Sequence, residues 1–223
     1  MADTFERFGD WLGLPVPPYE IAAIIVLLLY AVQSEIRFGA KARKMIGNAS
    51  DRGSTIALSL ASIVPVVGLV WVVQATVADP KITRPLWFLK YFLWPAQLPE
   101  ISIVAWTGVW LGMIGLVIRL WSVLTLRNRY TRTLFVQEGH TVEQRGPYRF
   151  VRHPGYLGSL LCLNGIALAS CSAIVWAASI VATLLAYAYR IRVEDKMLVD
   201  AFGQEYEAYR RRVGALIPFA RPS

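Results

Sequence analysis

Four long apolar stretches divide the chain, and none of them contains a charged side chain. They cover residues 21–32, 56–78, 101–118 and 157–189. A helix needs about 20 apolar residues to cross a hydrocarbon core that is about 30 Å thick. The pattern therefore predicts a polytopic helical membrane protein and not a soluble domain.

The last apolar stretch is long enough for two helices, and it contains one turn signal, Ala169-Ser170-Cys171-Ser172. We therefore expect a tight helical hairpin. Its first arm would be only about 24 Å long at 1.5 Å per residue, so the hairpin is either tilted or partly buried in protein at its ends. The predicted fold is an all-α transmembrane bundle with five spanning helices, at 20–36, 55–78, 101–126, 155–169 and 172–192.

The C-terminal tail has apolar residues spaced three or four apart between Val193 and Val213. This spacing predicts an amphipathic helix, which Gly203 would weaken or split. The helix could lie on the membrane surface or cap a cytoplasmic cavity. We expect residues 1–100 to form two N-terminal helices and an outer loop, and residues 101–223 to form the core that carries the chemistry.

Charge is distributed unevenly along the chain. The net charge of +8 comes mainly from residues 37–54, 127–153 and 190–223, which the positive-inside rule places in the cytoplasm. The basic character therefore needs no nucleic-acid partner. The first apolar stretch follows acidic residues and has no small-residue cleavage site, so it is not predicted to be a cleavable signal peptide. Cys162 and Cys171 lie in apolar sequence and are expected to be buried hydrophobes, with no metal-ligand spacing around them.

Charged side chains stand at two places in or beside the predicted spans. Arg119 lies near the inner end of the third helix, where a charge is costly unless it is paired, hydrated or able to reach the headgroups. Arg190 and Glu194 are four residues apart at the cytoplasmic end of the fifth helix and share a face. They could bind a zwitterion or form a plain ion pair.

His153-Pro154 marks a helix start, because proline is favoured in a first turn and disfavours helical geometry in the residue before it. Free amides at such a terminus bind anions, and Arg149 and Arg152 would add positive charge. No serine–histidine–acid set, zinc-protease helix or glycine-rich phosphate loop is visible. If the protein is an enzyme, we expect it to orient a reactive cosubstrate against a lipid-phase acceptor.

The C-terminal half carries a series of short motifs. They are Arg119-Leu120-Trp121, Thr125-Leu126, Thr131-Arg132-Thr133, His140, Gly146 to Gly158, Glu194-Asp195-Lys196-Met197-Leu198, Phe202 to Tyr206, Tyr209 and Ile217-Pro218-Phe219. Together they resemble the isoprenylcysteine carboxyl methyltransferase family over roughly residues 110–219. The segment Arg152 to Gly158 alone is shared with phospholipid methyltransferases and membrane sterol reductases.

The resemblance implies a transmembrane methyltransferase that uses S-adenosylmethionine and admits a lipophilic acceptor from the bilayer. By position, the implied cofactor-binding residues are His140, Val142, Gly146, Tyr148, Arg152, His153, Pro154, Tyr156, Leu157 and Glu194. The residues implied at the reaction centre are Arg190, Glu194 and Arg119. Arginine and carboxylate groups suit the zwitterionic end of such a cofactor. We expect His153 to orient the loop and the cofactor and not to move a proton.

Several alternatives stay open. The acceptor could be a prenylated C-terminus, another lipophilic carboxylate, a small thiol or a lipid amine, the last of which would make the protein a phospholipid N-methyltransferase. An NADPH-dependent reductase of the sterol-reductase type is a second class, although such proteins are longer, and a scaffold or transporter is a third. Asp195 stands where the family commonly has a second glutamate. The expected location is a bacterial inner membrane, with membrane lipids as neighbours and the site facing the cytoplasm.

Overall fold

A computed structural model describes residues 18–35, 45–46, 53–78, 100–126, 136–137 and 141–218. Six α-helices make up most of these ranges. They are α1 (Pro18–Glu35), α2 (Ser54–Ala78), α3 (Glu100–Leu126), α4 (Pro154–Ala169), α5 (Ala173–Phe202) and α6 (Gln204–Arg212). A 3₁₀ turn covers Gly146–Arg149, and a two-residue antiparallel ladder pairs β1 (Met45–Ile46) with β2 (Val136–Gln137).

All five helices that the apolar pattern predicts are present. The hairpin between α4 and α5 turns at Ser170 and Cys171, and Cys171 adopts a positive φ of 52°. Ser172 then caps α5, because its hydroxyl accepts a hydrogen bond from the Val175 amide at 3.4 Å. The predicted tight hairpin is therefore confirmed.

Fewer of the described helices than the five predicted have the length and apolar composition of a membrane span. Among the described helices, three are long and apolar enough to cross a bilayer, within Ser54–Trp71, Ile103–Leu126 and Ala173–Phe202. The apolar parts of α1 and α4, Tyr19–Gln33 and Pro154–Ala169, are shorter. The protein is thus a helical membrane protein, and the count of five spans stays a prediction.

The tail differs from the sequence prediction in where its helix begins. No new helix starts at Val193, because α5 continues without a break to Phe202. The sequence predicts that the helix ends with its apolar stretch, but Arg190 and Asp195 have buried polar partners elsewhere in the protein. Gly203 does break the helix, with a φ of 55°, and α6 follows it.

Small residues let α3 and α4 approach closely. A Cβ added at Gly115 would lie 2.5 Å from the Gly158 carbonyl oxygen, and one at Gly165 would lie 2.5 Å from the Gly112 amide nitrogen. Since lipid is as apolar as the helix surface, such close backbone packing is a main source of helix association in membranes. This packing places the start of α4 against the last turns of α3.

The outer surface of the bundle is apolar. Leu28 on α1, Val67 on α2, Trp110 on α3 and Leu185 on α5 are all exposed, as expected for side chains that face lipid. Polar side chains instead gather inside, where α4 begins and α5 passes beyond its apolar part. That region contains the candidate site.

Candidate active site

The loop before α4 is held in place by its backbone. Gly146 has a φ of 57°, and a Cβ there would lie 2.9 Å from the Thr125 hydroxyl of α3. Both the backbone conformation and the lack of space therefore favour glycine at this position. After the 3₁₀ turn, the His153 carbonyl oxygen accepts hydrogen bonds from the amides of Tyr156 and Leu157. Pro154 opens α4 as predicted. The loop therefore delivers Arg152 and His153 to the interior, and both are buried.

Asp195 is the centre of a buried polar network. Its Oδ1 lies 3.0 Å from Nε2 of His153, and its Oδ2 accepts a hydrogen bond from Nη2 of Arg152 at 3.1 Å. The Tyr206 hydroxyl of α6 also donates to Oδ1. Burial, and then the neighbouring carboxylate, raise the pKa of Tyr206 well above its usual value, so the phenol stays a donor at neutral pH. One carboxylate thus joins the α4 loop, α5 and α6.

The segment after α6 is hydrogen-bonded to the backbone at the start of α4. The amides of Arg152 and His153 donate to the carbonyl oxygens of Gly214 and Ala215 at 2.9 and 3.0 Å. Arg152 Nη1 also donates to the carbonyl oxygens of Arg210 and Val213 at the end of α6. Arg152 therefore has a structural task in addition to the cofactor role implied by the family resemblance.

A second anchor ties α6 to the 3₁₀ turn. The Tyr209 hydroxyl donates to the Tyr148 carbonyl oxygen at 2.5 Å, and burial raises the pKa of Tyr209. The Tyr148 hydroxyl in turn shares a 2.6 Å hydrogen bond with Ser122 of α3. The tail and the loop thus pack together against α3.

Glu194 lies next to Asp195 in the chain but in a more open position. Its side chain is 22% exposed, whereas that of Asp195 is 10% exposed. The Tyr156 hydroxyl donates to Glu194 and accepts a 3.0 Å hydrogen bond from Nε of Arg190. A phenol thus joins the guanidinium to the carboxylate that the sequence placed on one helix face.

His153 stands between the two acidic residues. Its Nδ1 lies 3.6 Å from Oε2 of Glu194, while its Nε2 contacts Asp195. The imidazole also stacks on the Tyr156 ring, with centroids 5.4 Å apart and planes inclined by 6°. These contacts fix the orientation of the imidazole ring.

Arg119, on α3, contacts α4 about one helical turn beyond Tyr156. Its Nη1 donates to the Ser159 hydroxyl at 2.6 Å, and its guanidinium carbon lies 5.0 Å from the centre of the Tyr30 ring. The residue is buried, so the guanidinium points into the bundle and does not snorkel to the headgroups. The Tyr30 contact brings α1 to the same region.

The structure brings together part of the predicted residue set. Arg152, His153, Tyr156, Arg190 and Glu194 form one connected cluster. Gly146 and Tyr148 lie on the side of the loop that faces α3, and Val142 and Leu157 are half-buried. His140 lies outside the described residues.

The sequence places Asp195 among the charged residues at the end of the fifth helix but does not predict its central position in the network. Sequence reasoning also missed Ser54 and Thr55, whose hydroxyls contact Arg190. Neither residue belongs to a recognisable motif.

Comparison with known proteins finds similar sequences for the C-terminal half of the chain. Residues 103–205 match the sequence model of the phospholipid methyltransferase family. The chain is 31% identical to a rice protein (Oryza sativa subsp. indica) named a probable protein-S-isoprenylcysteine O-methyltransferase, over 55% of this chain and 65% of the rice protein. It is 35% identical to the cobalt-zinc-cadmium resistance protein CzcN of Cupriavidus metallidurans, over 51% of this chain and 53% of that protein.

The fold has a counterpart among solved structures. The structure of the eukaryotic intramembrane Ras methyltransferase, an isoprenylcysteine carboxyl methyltransferase, matches with a TM-score of 0.51 and 20% identity. The match covers 89% of this chain and 75% of that protein. This likeness concerns the fold alone. The chain spans 65% or less of the length of the curated relatives described above.

The chain is thus a helical membrane protein with a segment, residues 103–205, that is similar to the phospholipid methyltransferases. The motifs of the C-terminal half, the rice relative and this fold all point to a likeness to the isoprenylcysteine carboxyl methyltransferases. The shared region contains α3, α4 and α5, which carry most of the candidate site.

Proposed function

We propose that the protein is an integral-membrane methyltransferase that moves a methyl group from S-adenosylmethionine to a lipophilic carboxylate, such as that of an isoprenylcysteine. The observation that carries this proposal is the chain of contacts from Arg190 through Tyr156 to Glu194, with His153 stacked beside it. It combines a cation, a phenol and a partly open carboxylate in the segment that matches the family. The relatives' names supply the acceptor class.

The residues of the site fit such a methyl donor. Glu194 offers a partly open carboxylate to a positively charged group. The Nε of Arg152 is buried and has no hydrogen-bond partner among the described residues, so a donor remains for an acceptor atom of the ligand. Arginine and carboxylate groups together suit the zwitterionic amino-acid end of the donor.

The chemistry that the donor supplies is an electrophilic methyl group on a sulfonium, which leaves as a neutral thioether without help from an acid. The protein's task is then to orient the acceptor and exclude water. We assign Arg190 to the acceptor carboxylate and Glu194 to the positive charge of the donor. Tyr156 fixes the distance between these two groups. Asp195 holds His153 so that its ring supports Tyr156.

The site is proposed to face the cytoplasm of a bacterial inner membrane. The basic segments 37–54, 127–153 and 190–223 lie on the same side in the sequence-based topology. This side has access to a soluble cosubstrate, while the exposed apolar faces of the helices border the lipid from which the acceptor would enter.

A phospholipid amine is the second candidate acceptor, because the matching family model is that of the phospholipid methyltransferases. The two acceptors differ in charge. An anionic carboxylate would gain from Arg190, whereas a protonated amine would be repelled by it. Labelled methyl transfer into a farnesylcysteine analogue and into phosphatidylethanolamine vesicles separates the two candidates.

Donor binding is the first test. We expect isothermal calorimetry in detergent to show binding of S-adenosylhomocysteine to the wild type and to Glu205→Gln, a control at an exposed carboxylate of α6. Glu194→Gln is expected to lose about tenfold in affinity, in keeping with a hydrogen bond or ion pair to a charged group. Absence of binding by well-folded wild type would remove the proposal.

A further inference from the structure

The first turn of α2 offers two hydroxyl groups to Arg190. Nη1 of Arg190 donates to Ser54 Oγ at 2.8 Å and to Thr55 Oγ1 at 2.9 Å. Ser54 is fully buried, and Arg190 is nearly so. At its other end, the guanidinium donates from Nε to the Tyr156 hydroxyl. Contacts at two different nitrogens therefore define the plane and direction of the Arg190 side chain.

The same helix lines the surroundings of Tyr156. Leu58, about one turn beyond Ser54, packs against the cluster of Leu160, Leu163 and Tyr187 that Tyr156 also contacts. The ring of Tyr156 lies 5.4 Å from that of Tyr187. The start of α2 thus contacts both the charged and the apolar side of the candidate reaction centre, although it precedes the segment matched by the family model, residues 103–205.

The two hydroxyls restrict the orientation of the Arg190 guanidinium, because each oxygen accepts a hydrogen bond from a defined direction. An arginine side chain has many rotamers, and restricting it to one of them costs entropy. If the folded protein already holds that rotamer, this cost is not added to the activation barrier of the reaction.

We infer that Ser54 and Thr55 are positioning residues of the reaction centre, which fix the Arg190 guanidinium in the direction from which it meets the acceptor. The N-terminal part of the chain therefore contributes to the chemistry and is more than a membrane anchor. The inference rests on the proposed function, since it assigns Arg190 to the acceptor.

The test uses matched changes at neighbouring positions of α2. Thr55→Val removes a hydroxyl and keeps the shape of the side chain, whereas Thr55→Ser keeps the hydroxyl. Ser54→Ala removes the second hydroxyl, alone or together with Thr55→Val. Ser62→Ala is the control, because the Ser62 hydroxyl bonds to the Leu58 carbonyl oxygen of its own helix. Each variant is assayed in the full-length protein for kcat, acceptor KM, S-adenosylhomocysteine affinity and Tm.

For Ser54→Ala with Thr55→Val we expect kcat to fall about tenfold, since each lost bond involves a charged group. Tm should fall, because the buried guanidinium loses hydrogen bonds, but donor affinity should stay near that of Ser62→Ala. Thr55→Ser should recover rate relative to Thr55→Val. Rates equal to that of Ser62→Ala would overturn the inference. So would a loss in which kcat, donor affinity and Tm fall together, which would assign the hydroxyls to folding alone. If the double variant does not fold, the comparison of Thr55→Val with Thr55→Ser decides.

A separate readout keeps this inference apart from the proposed function. Arginine side-chain nitrogen NMR in detergent, with the Arg190 signal identified by its absence in Arg190→Lys, reports how freely the guanidinium turns. We expect slow turning in the wild type and faster turning in Thr55→Val, whether or not any methyl donor binds. Unchanged turning would contradict the positioning role, whereas wild type that binds no donor would contradict only the proposed function.

Discussion

His153 and Asp195 lie 42 positions apart in the chain and are joined by a buried contact of 3.0 Å between Nε2 and Oδ1. The neighbouring Glu194 lies on the other side of the same imidazole, 3.6 Å from Nδ1. Two consecutive carboxylates therefore take different tasks. Asp195 joins the α4 loop to the tail, and Glu194, the more exposed of the two, remains for the ligand.

Removing the charge of Asp195 should destabilise the protein. Asp195→Asn leaves Arg152 without its buried carboxylate partner, and breaking such a pair costs about 3–5 kcal/mol. We expect a clearly lower Tm in detergent than for the wild type. Asp200→Asn, at an exposed position on the same helix, is the control and should change Tm little. Equal Tm values for the two variants would show that the Asp195 network contributes no stability.

The stabilising effect of Tyr206 should depend on pH. Burial and the nearby Asp195 raise the pKa of this phenol in the folded state. Its contribution to stability is therefore complete below the unfolded pKa of about 10 and declines as the pH rises from there towards the folded value. Tyr206→Phe should be less stable than the wild type at pH 8, and the difference in Tm should narrow above pH 10. A difference that stays constant would contradict this account.

The glycine contacts between α3 and α4 should tolerate no added methyl group. Gly115→Ala would place a Cβ 2.5 Å from backbone atoms of Gly158 and Cys162, so the helices would have to separate. Overpacking of this kind costs about 1–3 kcal/mol. Thr107→Ala is a control on the exposed face of α3. We expect only Gly115→Ala to lower Tm, and the assignment of this interface fails if both variants match the wild type.

The helices of this protein could be predicted from the apolar pattern, because a run of uncharged residues leaves the chain few other choices in a membrane. The hairpin turn was visible for the same reason, since Ser170 and Cys171 interrupt an otherwise uniform stretch. The end of α5 could not be predicted. The apolar pattern ends near residue 189, but the helix continues, because Arg190 has a buried partner on α2 and Asp195 has one in the loop before α4.

The site was predictable only where it coincides with a motif. The Arg152-to-Gly158 segment and the Arg190–Glu194 spacing pointed to one cluster, and the structure brings them together through Tyr156. Periodicity could not show that Ser54 contacts Arg190, because that contact depends on how α2 packs against α5. The family motifs begin after α2 and gave no signal there.

Arg119 offers a test of the acceptor side of the site. It is buried beside Ser159, about one turn along α4 from Tyr156. We expect Arg119→Met to raise the acceptor KM about tenfold, as for a lost bond to a charged group, with little change in S-adenosylhomocysteine affinity. Arg192→Met, at an exposed arginine of α5, is the control. Equal losses in acceptor and donor binding, together with a lower Tm, would assign Arg119 to the structure of the bundle.

The most direct test of the central claim is the initial rate of labelled methyl transfer from S-adenosylmethionine to a farnesylcysteine analogue. It compares the wild type with Arg190→Ala, Glu194→Gln and Arg192→Ala. Arg192 is the control, because it is an exposed arginine on the same helix, two positions beyond Arg190. The account predicts transfer by the wild type and by Arg192→Ala, and a loss of about a hundredfold or more in the other two, as expected when a positioned charge is removed from a reaction centre. Equal rates for all four folded proteins, or no transfer by the wild type to this acceptor, would contradict it.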